Sequence, residues 1–196
     1  MQPERAALAC LLPLELSAAY TWGSTAAERA RPFPCDGLVP EPTDALFRAV
    51  DVAAPARVLF RWLCQLRAAP YSYDWIDNLG CQSPRHLTPG LERLAVGQRV
   101  MTFFELVAFE PDRHLTLVGS APGFGANMGE LALSYFVVPR GDSSSRLVVK
   151  ILVRYPRGPL GWAMRGLLPW GDLVMMRKQL LTLKRLAEAA AAQEGT

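Results

Sequence analysis

Gly171-Asp-Leu-Val-Met-Met-Arg-Lys-Gln-Leu-Leu-Thr-Leu-Lys-Arg-Leu186, running on to Ala192, is the stretch whose reading decides the fold. Leu173, Met176, Leu180, Leu183 and Ala187 recur at steps of three and four, which puts them on one face of an α-helix. Arg177, Lys178, Lys184, Arg185 and Glu188 fall away from that stripe. The pattern starts the helix after Gly171, with Asp172 in the first turn, where a carboxylate meets the positive end of the helix dipole. A helix of this length spans roughly 33 Å at about 1.5 Å per residue. It needs a broad apolar surface over its inner face.

That surface comes just before it. From Gln98 to Tyr155 the pattern is strand-like. Arg99–Glu110 reads as one strand or as two with a bulge, Pro111-Asp112 as a turn, and Arg113–Gly119 as the return strand. Ser120–Gly129 carries three glycines and a proline and reads as a loop. Met128–Pro139 and Ser145–Tyr155 flank Arg140-Gly-Asp-Ser-Ser, a hairpin turn. Leu131, Leu133, Tyr135 and Val137 share one face, as do Leu147, Val149, Ile151, Val153 and Tyr155. Arg146, Lys150 and Arg154 alternate onto the opposite face, toward solvent or a neighbouring strand's carboxylates. The expectation is an antiparallel sheet with one wet side.

Upstream, Thr43–Val52 is a first strand, with Leu46, Arg48, Val50 and Val52 alternating against Phe47, Ala49 and Asp51. Pro55 opens a helix whose apolar face is Val58, Leu59, Trp62, Leu63 and Leu66 and which ends before Pro70. Residues 1–42 read as an N-terminal arm packed on a domain formed by 43–196. Within the arm lie a helical piece around Glu4–Tyr20 and a capping box of Ser24 or Thr25 with Glu28. Pro32–Pro42 is too rich in proline for helix and is anchored by Phe33, Leu38 and Val39. Strands grouped together, with helices segregated to one face, predict an α+β fold.

Composition bounds the function. A hydrophobic fraction of 51% against 20% charged residues is that of a packed globular chain. The net charge of +3 comes from scattered cations with no basic stripe, which argues against nucleic acid as a partner. Cys10, Cys35, Cys64 and Cys81 form no Cys-x-x-Cys pair and read as reduced thiols in a cytoplasmic protein. No run of apolar residues is long enough for an integral membrane segment. Ala6–Leu14 resembles a short signal core, but Glu4, Glu15 and Pro13 argue against that use.

The chain has two histidines, His86 and His114, so a three-histidine metal centre is excluded and no metal is expected. No Gly-x-Ser-x-Gly elbow is present. Gly123-Phe-Gly125 lacks the third glycine and the βαβ context of a dinucleotide loop, so no cofactor is expected. Tyr71-Ser-Tyr-Asp-Trp-Ile-Asp-Asn-Leu-Gly80 is richest in chemistry. One reading has Trp75 and Ile76 plugging the core while Asp74 and Asn78 cap backbone; the other has the segment lining a cavity mouth. Glu105 sits among Phe103, Phe104, Leu106 and Val107, either inward or paired with Lys150 or Arg154 on the wet face. His114 reads as a hairpin-end or surface residue, and His86 lies in the loop between Pro84 and Pro89.

The order of elements, Ala54-Pro55, the Tyr71–Gly80 segment, Leu94-Ala-Val-Gly97, Phe109-Glu-Pro-Asp-Arg-His-Leu115 and Gly171–Gln179 resemble the START/birch-pollen-allergen-like superfamily (SRPBCC). Trp22-Gly-Ser-Thr and Asp36-Gly-Leu-Val-Pro40 look like a bacterial subgroup of it. The resemblance spans roughly residues 20 to 190 and implies a helix-grip fold. In that fold a curved antiparallel β-sheet wraps a long C-terminal α-helix, with an apolar cavity between them. The superfamily includes polyketide cyclases and lipid-transfer proteins, so it sets no single function.

The expectation is that this chain binds a hydrophobic small molecule of lipid, polyketide or isoprenoid type in that cavity. Tyr71, Trp75, Tyr135, Ile151, Met176 and Leu180 are the predicted contacts. The alternative is a cofactor-independent cyclase, dehydratase or isomerase using Tyr73, Asp74, His86 and Glu105 as acid and base.

Overall fold

The computed structural model describes residues 14–77, 80–119 and 129–194. The elements are α1 (Leu14–Thr21), α2 (Ala26–Arg29), β1 (Asp44–Val52), α3 (Ala56–Cys64) continued by a 3-10 turn (Gln65–Arg67), and α4 (Asp74–Asp77). They are followed by β2 (Arg99–Val100), β3 (Phe104–Glu110), β4 (His114–Gly119), β5 (Glu130–Pro139), β6 (Ser145–Arg154) and α5 (Pro159–Glu194). The strands form one antiparallel sheet in the order β1-β6-β5-β4-β3-β2. Helix α5 crosses its inner face, which is the helix-grip arrangement.

The inner core follows the predicted parities. Leu133, Tyr135 and Val137 of β5 and Leu147, Val149 and Ile151 of β6 meet Met176, Leu180, Leu183 and Ala187 of α5 and Val58, Leu59 and Leu63 of α3. The ambiguous stretch Arg99–Glu110 resolves as two strands, the second of which also carries a bulge. Leu106 pairs with Leu117 and Ala108 with Thr116, leaving Val107 as the extra residue. The bulge lets Leu106 and Phe109, three apart, both reach the inner side. The expected loop Ser120–Gly129 lies almost wholly outside the described residues, as do Asn78, Cys10 and the helical reading of residues 4–13.

The outer face of the sheet is not simply wet. Phe33, Cys35 and Val39 from the arm bury against Phe47, Ala49, Ala132, Val148 and Leu152. Arg146 and Lys150 find carboxylates in the arm, Glu28 for Arg146 and Asp36 for Lys150, and Arg146 also pairs with Asp51 of β1. Burial disfavours charge on Glu28, yet the hydrogen bonds from Arg146 and Thr25 outweigh it and hold the carboxyl at about 2. Glu28 thus closes the capping box on Thr25 and ties α2 to β6. Gly23 allows the arm's approach, since it is left-handed (φ 74°) and a Cβ there would sit 2.0 Å from the Ala49 carbonyl oxygen.

The largest departure from the sequence reading is in α5, which is 36 residues long and continues through Pro169. The proline removes one helical hydrogen bond, a loss of about 3 kcal/mol in a helix interior. Here the turn is held from outside: Arg48 of β1 donates to the Pro169 carbonyl oxygen (3.3 Å) and to Asp172 (2.7 Å). Asp172 is therefore not a first-turn residue at a helix N-terminus. It lies mid-helix as the counter-ion of a fully buried arginine.

Candidate functional site

The space between sheet and α5, where a ligand cavity was expected, is occupied by the protein's own side chains. The Tyr135 hydroxyl donates to Gln179 Oε1 (2.6 Å), and Gln179 Nε2 donates to the Pro70 carbonyl oxygen (2.7 Å). Burial drives the Tyr135 hydroxyl far above the ordinary phenol range. The Met176 sulfur lies 3.9 Å from the Tyr135 hydroxyl, and Ile151 and Leu180 are buried in the same core. Arg48 fills the next turn of the helix; burial lowers its pKa, opposed by Asp172. Desolvation in turn raises the Asp172 carboxyl above its usual range, against the pull of Arg48.

Two grooves lie instead along the C-terminal half of α5. The first, about 490 Å³, is lined by residues of the 71–85 connection, Tyr71, Ser72, Asp74, Ser83, Pro84 and Arg85, facing Lys178, Thr182, Arg185, Leu186 and Ala189 of α5. The second, about 310 Å³, shares Arg85, Leu186 and Ala189 with it and adds Arg61, Trp62 and His86. The two grooves adjoin at the shared residues.

Local geometry explains the first groove. After the 3-10 turn, Pro70 ends helix and Tyr71 takes a left-handed backbone (φ 57°), unusual for a bulky residue. This turn drives the Tyr71 ring edge-on into Trp62, with centroids 6.2 Å apart. The Tyr71 hydroxyl is buried with no hydrogen-bond partner among the described residues, and burial, aided by Asp74, pushes it up to about 12. Ser72 Oγ donates to the Met175 carbonyl oxygen (3.1 Å), pinning the connection to α5. Asp74 accepts hydrogen bonds from the amide and hydroxyl of Ser83, closing the loop over the groove. Asp74 is the one carboxylate among the first groove's lining residues, against three cations, Arg85, Lys178 and Arg185.

The predicted site residues therefore separate. Tyr71 and Asp74 line the first groove, and His86 lines the second. Tyr73 is half-buried, with Lys178 Nζ 5.9 Å from its ring centre. Trp75 is 75% exposed and Ile76 also faces outward, so neither plugs the core: α4 is a single turn whose side lies away from the sheet. Glu105 stands opposite Val118, on the outer side of β3, and opposite Arg99 in β2. Lys150 and Arg154 are on β6, three strands away in the sheet order, and so cannot serve as its partners. His114 is half-buried and stacks on Phe136 across the strand pair. Among the described residues, no hydrogen bond joins any two of Tyr73, Asp74, His86 and Glu105, and no cluster of three or more His, Cys, Asp or Glu suited to a metal ion occurs.

Lys178 and Arg185 lie off the apolar stripe of the helix, and Ser72 and Ser83 carry no signal in the sequence. They become site residues because the 71–85 connection folds back onto α5. Arg48 was legible: it shares parity with Leu46, Val50 and Val52.

No family model matches the chain, and no curated protein matches it in sequence. Solved structures similar to it include a protein from Mesorhizobium loti (15% identity, 74% of this chain and 97% of that one, TM-score 0.45). Norcoclaurine synthase from Thalictrum flavum matches at 14% identity over 73% of this chain and 85% of that one, with a TM-score of 0.46. A di-domain ARO/CYC protein, BexL, of the BE-7585A biosynthetic pathway matches at 14% identity over 74% of this chain and 47% of that one, with a TM-score of 0.45. At such identities these likenesses assign no activity to this chain. Its own strand order and C-terminal helix give it the helix-grip fold implied by the sequence resemblance to the START/birch-pollen-allergen-like superfamily.

Proposed function

We propose that the protein binds a hydrophobic small molecule bearing an acidic group, held in the groove between the 71–85 connection and α5. The observation that carries this reading is the composition of the groove wall. Arg85, Lys178 and Arg185 face a single carboxylate already engaged by Ser83, beside an apolar strip of Leu186 and Ala189. An anion gains charge-assisted hydrogen bonds from the cations, while an apolar body covers Leu186 and Ala189. The volume of about 490 Å³ suits one small molecule. Filling of the sheet–helix interior by Tyr135, Gln179 and Arg48 supports this outer location over the enclosed cavity.

Titration of the full chain with the anionic apolar dye 1-anilinonaphthalene-8-sulfonate, alongside the neutral dye Nile red, tests the reading. The anionic dye should bind and lose at least about tenfold in affinity in Lys178→Glu/Arg185→Glu, two charge contacts of about 1 kcal/mol each being removed and reversed. Ala189→Trp, which fills the groove, should abolish binding of both dyes. Binding unaffected by all three changes places the ligand elsewhere.

A further inference from the structure

The N-terminal half of α5 carries an apolar face that no described residue covers. Leu160, Ala163, Leu167, Trp170 and Val174 follow one another at steps of three and four and are all exposed. Trp162 stands beside them, 79% exposed, and Leu167 is 72% exposed. At about 100° per residue these positions fill an arc of about 160° in which no charged residue falls.

Both charged side chains of this half point the other way, into β1: Arg165 pairs with Asp44 and Asp172 with Arg48. The stretch thus has its ion pairs turned inward and its tryptophans and leucines turned outward, the reverse of a helix that ends its packing at the sheet. A contiguous exposed patch of this kind marks an interaction surface.

The charges bordering the arc identify the partner. Arg157 precedes the helix, and Arg177 and Lys178 continue the same face one turn beyond Val174; all three are exposed. No acidic residue falls on this face from Arg157 to Lys178. Leucines and tryptophans in the middle with cations at both ends match a lipid surface: indole rings settle at the headgroup level, and long cationic side chains reach the phosphates. Among the described residues, no helix is long and apolar enough to cross a membrane, so the contact lies in the plane of the interface.

We infer that the face Leu160–Val174 docks the protein onto an anionic phospholipid surface. The inference rests on α5 alone; Lys178 borders both this face and the groove proposed above, and the two are separated by the variants tested below.

Co-flotation of the full chain with vesicles of one part phosphatidylglycerol to three parts phosphatidylcholine, and with vesicles of phosphatidylcholine alone, tests it at about 0.1 M salt. The chain should float with the anionic vesicles and much less with the neutral ones. Trp162→Glu/Leu167→Glu should reduce flotation at least tenfold while leaving near-ultraviolet circular dichroism and Tm unchanged, since both side chains are exposed. Ala189→Trp, which blocks the groove, should float like the parent; loss of flotation in that variant overturns the inference, because lipid would then be entering the groove. No association of the parent chain with anionic vesicles overturns it, as does retained flotation of the double variant. A dimer in sedimentation velocity that the double variant dissolves, without vesicle binding, overturns it in favour of a second copy of the chain.

Discussion

The guanidinium of Arg48, fully buried on β1, donates to the carboxylate of Asp172 at 2.7 Å in the middle of the terminal helix. This contact joins the first strand to the last element across 124 residues of chain and braces the helix three residues past Pro169. Replacing Asp172 with Asn strands a buried cation and should cost on the order of 3–5 kcal/mol in urea unfolding. The double change Arg48→Met/Asp172→Leu, which removes both charges, should recover most of that loss. A double variant as unstable as Asp172→Asn contradicts this account.

The ion pair of Glu28 with Arg146 makes docking of the arm pH-dependent. The folded carboxyl is held at about 2, below its ordinary value of 4.5, so its contribution is full above about pH 4.5 and is lost as pH falls toward 2. With Glu28 buried, that contribution is on the order of 2–3 kcal/mol. Urea unfolding at pH 6 and pH 3 should show a drop that is smaller by about this amount in Glu28→Gln. An equal drop in both proteins rules out Glu28 as the group responsible.

Gly23 should tolerate no side chain. Its backbone is left-handed, and an added methyl group would lie 2.0 Å from the Ala49 carbonyl oxygen, so Gly23→Ala must pull the arm away from β1. The expected cost is about 2 kcal/mol, with increased proteolysis within residues 21–42. Unchanged protease resistance would show that the arm docks without this turn.

Tyr135 and Gln179 fill the middle of the space between sheet and helix. Tyr135→Phe leaves Gln179 Oε1 buried without its donor and should cost about 1–3 kcal/mol. Burial raises Tyr155 and Tyr71 as well, so spectrophotometric titration of the parent should leave several tyrosines un-ionised until the protein unfolds, and Tyr135→Phe should show one fewer.

Met176 distinguishes a filled interior from an open one. It is buried, with its sulfur 3.9 Å from the Tyr135 hydroxyl. Met176→Trp should therefore overpack the core and lower stability by about 1–3 kcal/mol, with dye binding in the outer groove retained. A variant of unchanged stability that loses dye binding would mean the interior opens to receive ligand.

The sequence by itself determined the architecture, because the fold is written in periodicities that act locally. Leu133, Tyr135 and Val137 alternate, Met176, Leu180, Leu183 and Ala187 step by three and four, and Pro55 and Thr25 set helix starts. Burial of one face is enough to make such patterns decisive.

Tertiary structure alone decided the rest. The continuation of α5 through Pro169 depends on Arg48 reaching it from another element, which outweighs the local cost of proline. The outer sheet face acquires an apolar cover because Phe33 and Val39 return to it. Lys178 and Arg185 belong to a groove only because the strained Tyr71 turn folds the 71–85 connection back against α5. Each of these is a contact between segments far apart in the chain, and no local pattern encodes which distant partner a polar side chain will meet.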